Sequence, residues 1–100
     1  MSDQTWDFAA PAFQAGDALE RLRRELRGLG LQERQGRWER RGVLIAQLTL
    51  QPGEIEARRV KKPSRSTPEW AVCSLKSSAD VRDFTGDLKK RLAQWSEEHD

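Results

Sequence analysis

The sequence predicts an α+β domain in which two amphipathic helices pack on one face of a small antiparallel β-meander, in the order α-β-β-β-α with an extra edge strand possible at the beginning. Three observations lead there. Leu19, Leu22, Leu26 and Leu29 recur at helical spacing, and so do Val81, Phe84, Leu88, Leu92 and Trp95. Between these two stripes, residues 43–51 alternate apolar with small or polar side chains and are rich in β-branched types. Gln51-Pro52-Gly53-Glu54 then reads as a type II turn, with proline presetting φ at the second position and glycine supplying positive φ at the third.

Taken in order, residues 1–15 form an acidic aromatic leader without Lys or Arg. Trp6 and Phe8 stand two apart, as on one face of an edge strand or a docking arm, and Pro11 limits that strand. Asp17 is placed to cap a first helix, with Glu20 reaching back in a capping box, and Gly28 and Gly30 stop it, which predicts helix over residues 18–27. Residues 31–42 read as a polar strand or hairpin arm around Trp38, broken at Gly36. The strand over 43–51 places Leu44, Ala46, Leu48 and Leu50 on one buried face and pairs with a strand over 55–62. Residues 61–68, punctuated by Pro63 and Pro68, predict an exposed loop.

Residues 70–75 predict a third strand with Trp70 and Val72 on one side and Ala71, Cys73 and Leu75 on the other, hence burial between layers. Ser77 or Ser78 caps a second helix that runs to about Trp95, with Asp80 near its positive end. One domain is expected: the leader over 1–15, a core over 16–96 and a flexible acidic tail over 97–100.

Composition bounds the function. In a chain of 100 residues a cofactor domain plus a substrate domain does not fit, so function falls to the surface or a shallow cleft. No apolar stretch approaches the roughly 20 residues that span a bilayer, and the first residues lack the pattern of a secretory signal. A soluble, cytoplasmic protein that does not engage membranes is expected. The single cysteine, Cys73, lacks the companions of a zinc site and reads as a small buried apolar side chain. Ser77, Ser78 and Cys73 lack a placed base, because the one histidine is His99. Asp80, Asp83 and Asp87 share a helix face, which more often is a solvated face than a metal site. No enzyme activity, cofactor, metal or small-molecule substrate is therefore expected.

Charge distribution is the functional signal. Residues 21–65 hold 13 of the 18 basic residues but 5 of the 16 acidic ones, so the middle is strongly positive and the flanks negative beneath a net charge of +2. The candidate residues are Arg58, Arg59, Lys61, Lys62 and Arg65, with Ser64, Ser66 and Thr67 as hydroxyl donors, and Arg37, Arg40 and Arg41 around Trp38. Phosphate-neutralising cations beside an aromatic that stacks on a base are the means by which small domains hold nucleic acid. The arginines of the first helix, Arg21, Arg23, Arg24 and Arg27, extend that surface if the two lie together and otherwise pair with Glu20 and Glu25. The expected function is a non-enzymatic binding module for an anionic partner, nucleic acid first. The alternative is a protein-interaction module, an adaptor, chaperone or homodimer, that uses an open sheet face and exposed tryptophans, its basic and acidic segments pairing with each other.

Overall fold

In the computed structural model, which describes residues 13–98, helix α1 (Ala15–Gly28) leads into strands β1 (Gln32–Arg34), β2 (Arg37–Arg40), β3 (Val43–Gln51), β4 (Glu54–Val60) and β5 (Trp70–Leu75), and helix α2 (Ser78–Glu98) closes the domain. Trp6, Phe8, Pro11, His99 and Asp100 lie outside the described residues. The five strands form one antiparallel sheet in strict sequence order, β1-β2-β3-β4-β5. The α+β class holds; residues 31–42 add two strands, β1 and β2, to the meander, and the edge strand expected around Trp6 and Phe8 falls outside the described residues.

Residues 31–42 supply both β1 and β2 because two tight turns of one kind flank β2. Gln35-Gly36 (φ 56° and 80°) and Arg41-Gly42 (φ 55° and 80°) each place two consecutive residues at positive φ, the signature of the type I′ turn that matches strand twist in two-residue hairpins. Pro52-Gly53, with Gly53 at φ 73°, joins β3 to β4 as the sequence predicts.

Cross-strand pairing sorts the sheet into two faces. On one, Glu33, Trp38, Ala46, Arg59 and Ala71 stand in a row, followed by Leu48, Ala57 and Cys73, then Leu50, Ile55 and Leu75. Both helices cover this face: α1 touches β1, β3, β4 and α2, and α2 also touches β5. A β-bulge interrupts β3, since Trp38 opposes Ala46 while Glu39 opposes Leu44, leaving Ile45 as the extra residue. The break in alternation accounts for two consecutive buried residues, Ile45 and Ala46.

Helix α1 begins earlier than its sequence suggests. Gln14 is its N-cap, without a side-chain cap bond, and Asp17 sits inside the first turn, where its charge complements the helix dipole. The capping box on Asp17 and Glu20 does not form. With that start the buried stripe is Ala15, Ala18, Leu22 and Leu26, flanked by half-buried Leu19 and Leu29. For α2 the cap is Ser77, whose Oγ accepts the Asp80 N–H at 3.1 Å, while Asp80 accepts the Lys76 N–H at 2.9 Å. Phe84, Leu88, Leu92 and Trp95 are buried along α2, with Val81 packed beside them, and the helix extends past Trp95 to Glu98.

Strand β5 is an edge rather than a middle layer. Val72 is 55 % exposed and Cys73 is exposed, so the predicted burial on both sides and the buried thiol are both corrected. Cys73 faces the helix side but lies beyond the reach of full cover, in a shallow groove beside Asp83 and Asp87. Leu50, expected on the buried face, is 52 % exposed at the far end of its strand. Among the described residues no helix is long and apolar enough to cross a membrane.

Candidate anion-binding surface

Register places arginines on the face of the sheet that the helices leave open. Arg34 opposes Arg37, Arg37 opposes Gln47, Gln47 opposes Arg58, and Arg58 opposes Val72. Adjacent strands lie about 4.8 Å apart, so Arg34, Arg37 and Arg58 mark a row about 14 Å long. Arg58 has a neighbour in Glu56, with Nε 3.5 Å from the carboxylate. Arg34 and Arg37 are directly opposed like charges, an arrangement that costs stability in a sheet. Sequence reasoning passed over Arg34. Its signal is the Gln35-Gly36 pair, which forces Arg34 and Arg37 to face each other once it is recognised as a turn.

The row continues into one end of the sheet. There the long loop between β4 and β5 folds beside the β2–β3 turn, tied at its base by the Lys61 N–H to the Glu69 carbonyl at 2.8 Å. Two depressions flank it. One, of about 340 Å³, is lined by Arg37, Glu39, Leu44, Ser64, Arg65 and Ser66 among others. The second, of about 320 Å³, is lined by Arg40, Arg41, Val43, Ile45, Pro63, Arg65 and Ser96. Arg65 and Val43 belong to both, so the depressions adjoin. Ser64 and Ser66 hydroxyls are 3.2 Å apart, and the Ser64 Oγ accepts the Ser66 N–H, which shapes the loop as a local turn.

Of the candidate residues, Arg37, Arg41, Lys61, Lys62 and Arg65 are exposed and have neither an ion pair nor a side-chain hydrogen bond among the described residues. Their charge is free to meet a ligand. Arg40 lines the second depression and donates from Nη1 to the Leu92 carbonyl at 3.3 Å, pinning β2 to the last turns of α2.

Two candidates leave the surface. Trp38 is 0 % exposed, beneath α1 with the Arg27 guanidinium 5.8 Å from its ring centroid, because pairing with Ala46 turns it to the helix side. Base stacking on Trp38 is thereby excluded. Arg59 lies on the same face, its side chain 14 % exposed, with Nε 2.9 Å from Asp87 and Nη1 donating to the Val60 carbonyl. Its charge is spent on joining β4 to α2, and Asp87 also receives Arg91 at 3.0 Å.

The first helix does not extend the basic surface through Arg23 and Arg27. Both turn to Glu33 of β1, at 2.8 Å and 3.4 Å, and Arg23 also meets Glu20 at 3.3 Å. The hydrogen bond to Glu33, reinforced by the charges of Glu33 and Glu20, holds the Arg23 guanidinium still more firmly protonated than usual. Of the described tryptophans, Trp38 and Trp95 are buried, and Trp70, paired with Val60, lies on the open face half-buried against the core. Among the described residues no group of His, Cys, Asp and Glu is placed to hold a metal ion.

Arg41 occupies the first central position of its type I′ turn at φ 55°, where Asn, Asp or Gly is ordinarily found. Arg41→Asn is expected to raise stability by about 0.5–1 kcal/mol, read from urea denaturation midpoints, while weakening anion binding. A loss of stability would show that the arginine is held there for a structural reason instead. No protein-family model, curated protein or solved structure matches this chain.

Proposed function

We propose that this chain is a small non-enzymatic binding module whose basic surface engages an anionic partner, nucleic acid first. The observation that carries the reading is the continuity of unpaired cations from the open sheet face to the loop end: Arg34, Arg37, Arg41, Arg65, Lys61 and Lys62. Two of the placements act against the fold's own stability, the opposed Arg34 and Arg37 and the positive φ of Arg41. Local costs of this kind are retained where a site needs the residue. With Trp38 inside the core, recognition rests on phosphate contacts from arginine, lysine and the Ser64 and Ser66 hydroxyls, which position a nucleic acid without reading its bases.

The test is a titration against a fluorescent mixed-sequence duplex and a single strand. If about four phosphates are neutralised, binding weakens about a hundredfold between about 50 mM and about 200 mM salt. Binding that is insensitive to salt, or absent at low salt, overturns the proposal.

A further inference from the structure

Strand β5 is the outer strand of the sheet, paired on one side only among the described residues. Its hydrogen-bonding phase follows from the bond of the Lys61 N–H to the Glu69 carbonyl, since these two residues stand opposite each other one step beyond the Val60–Trp70 pair. Opposed residues in an antiparallel ladder alternate between bonded and non-bonded pairs. Ala71, Cys73 and Leu75 therefore turn their main-chain groups to β4, and Trp70, Val72 and Ser74 turn theirs outward. An unpaired edge invites another strand, and folds ordinarily blunt it with charge, proline or brevity. The far edge is blunted in this way, because β1 has 3 residues and includes Glu33 and Arg34. Strand β5 has 6 residues with neither charge nor proline, and Val72, Cys73 and Ser74 are exposed.

We propose that a second copy of the chain occupies this edge, β5 against β5, in a two-fold dimer with one continuous antiparallel sheet and both helix layers on the same side. The outward groups select the register. With Val72 opposite Val72 of the second copy, Trp70 meets Ser74 on either side, and about six main-chain hydrogen bonds form. Centring on Cys73 instead sets Trp70 against Lys76, whose N–H already goes to Asp80, and centring on Ala71 sets Ser74 against Pro68, which has no N–H to give. The chosen register also covers Val72, 55 % exposed in the single chain, and puts Trp70 diagonally beside it, so that the seam of the open face is an apolar strip. Val72 ends the cross-strand row of Arg34, Arg37, Gln47 and Arg58, and that row runs on through the second copy. The outermost arginines then stand about 43 Å apart at about 4.8 Å per strand. The pairing does not depend on the anion-binding reading, and lengthens that surface where both hold. Pairing one short strand buries less than the roughly 1,200 Å² of a standard interface, which makes the dimer a transient one with Kd on the order of 10–100 μM. Asp83, in the groove beside Cys73, brings a like charge toward the seam, so added salt tightens the dimer, opposite in sign to phosphate binding.

The experiment is sedimentation velocity of the full chain, without nucleic acid, from about 5 to about 500 μM, a range that brackets that Kd. The parent is expected to pass from monomer to dimer across it. Val72→Lys places like charges directly opposite each other at the centre of the seam and should raise Kd at least about tenfold, while the exposed position spares the fold of the single chain. A second arm reads the register. Ala71 and Cys73 of the second copy form a non-bonded pair, whose spacing suits a disulfide, so Ala71→Cys should cross-link to Cys73 of its copy when oxidised glutathione takes up the two electrons and two protons that each bond releases. A parent that stays monomeric throughout, or a Val72→Lys protein that associates as well as the parent, overturns the inference and leaves the anion-binding reading in place. Rapid Cys73-to-Cys73 cross-linking of the parent, with none between Cys73 and the cysteine introduced by Ala71→Cys, overturns the register and with it the continuous arginine row.

Discussion

Trp38→Ala is expected to destabilise the domain by about 3–5 kcal/mol, measured by urea or thermal unfolding. The residue is fully buried at the centre of the helix-covered face, paired across the sheet with Ala46 and Glu33 and lying under Arg27. Alanine leaves a cavity that the surrounding strands and α1 are too constrained to fill. For a small domain whose total stability is about 5–15 kcal/mol, this single change removes a large share of it. Trp38→Phe separates burial from chemistry. Because Nε1 is buried without a hydrogen-bond partner, phenylalanine forfeits volume but strands no polar atom, and its cost should be much smaller than that of alanine. Nucleic-acid binding by the phenylalanine variant should equal that of the parent, as befits an indole that no ligand reaches. A specific loss of binding in a fully folded Trp38→Phe protein would contradict that placement.

The second large effect is on binding. Lys61→Glu/Lys62→Glu/Arg65→Glu reverses three exposed charges of the β4–β5 loop, one of which lines both depressions. Affinity for the duplex at low salt is expected to fall about a hundredfold, and the salt dependence to flatten, since each abolished phosphate contact removes its share of counterion release. The loop makes no ion pair among the described residues, so the fold should tolerate the change. Arg34→Glu is the complementary variant: it replaces a repulsive cross-strand pair by an attractive one with Arg37. It should gain stability as it loses binding. Parallel losses in both quantities would point to a purely structural role for this row.

The parts of this fold that could be read from sequence are those in which side-chain spacing alone decides burial. Phe84, Leu88, Leu92 and Trp95 are buried as their spacing requires, and Gly53 takes the positive φ that its turn requires. What escaped depends on which residues face each other. Gln35-Gly36 and Arg41-Gly42 make hairpins without the Asn or Asp that usually announces them, so β1 and β2 merged into one ambiguous stretch. The side of the sheet that Trp38 occupies follows from its pairing with Ala46, and the bulge at Ile45 has no local signature. Arg59 and Arg65 look alike as letters in a basic run. One is consumed by Asp87 on α2, which lies 28 positions further along the chain, and the other stays free.

The uninterrupted order of the sheet governs how the chain comes together. Every strand pairs with its immediate neighbour in sequence, three of the four connections being two-residue turns, so each hairpin closes over a short loop. Such local closures have a small entropic barrier and a characteristic time of microseconds. The exception is the nine-residue connection from β4 to β5, the same segment that bears Lys61, Lys62 and Arg65. This topology predicts that α1 and α2 dock across the sheet after the hairpins close, with Leu22, Leu26, Phe84 and Leu88 packed late. Substitutions at those positions should chiefly accelerate unfolding, whereas changes at Gly36 or Gly53 should slow the approach to the native state.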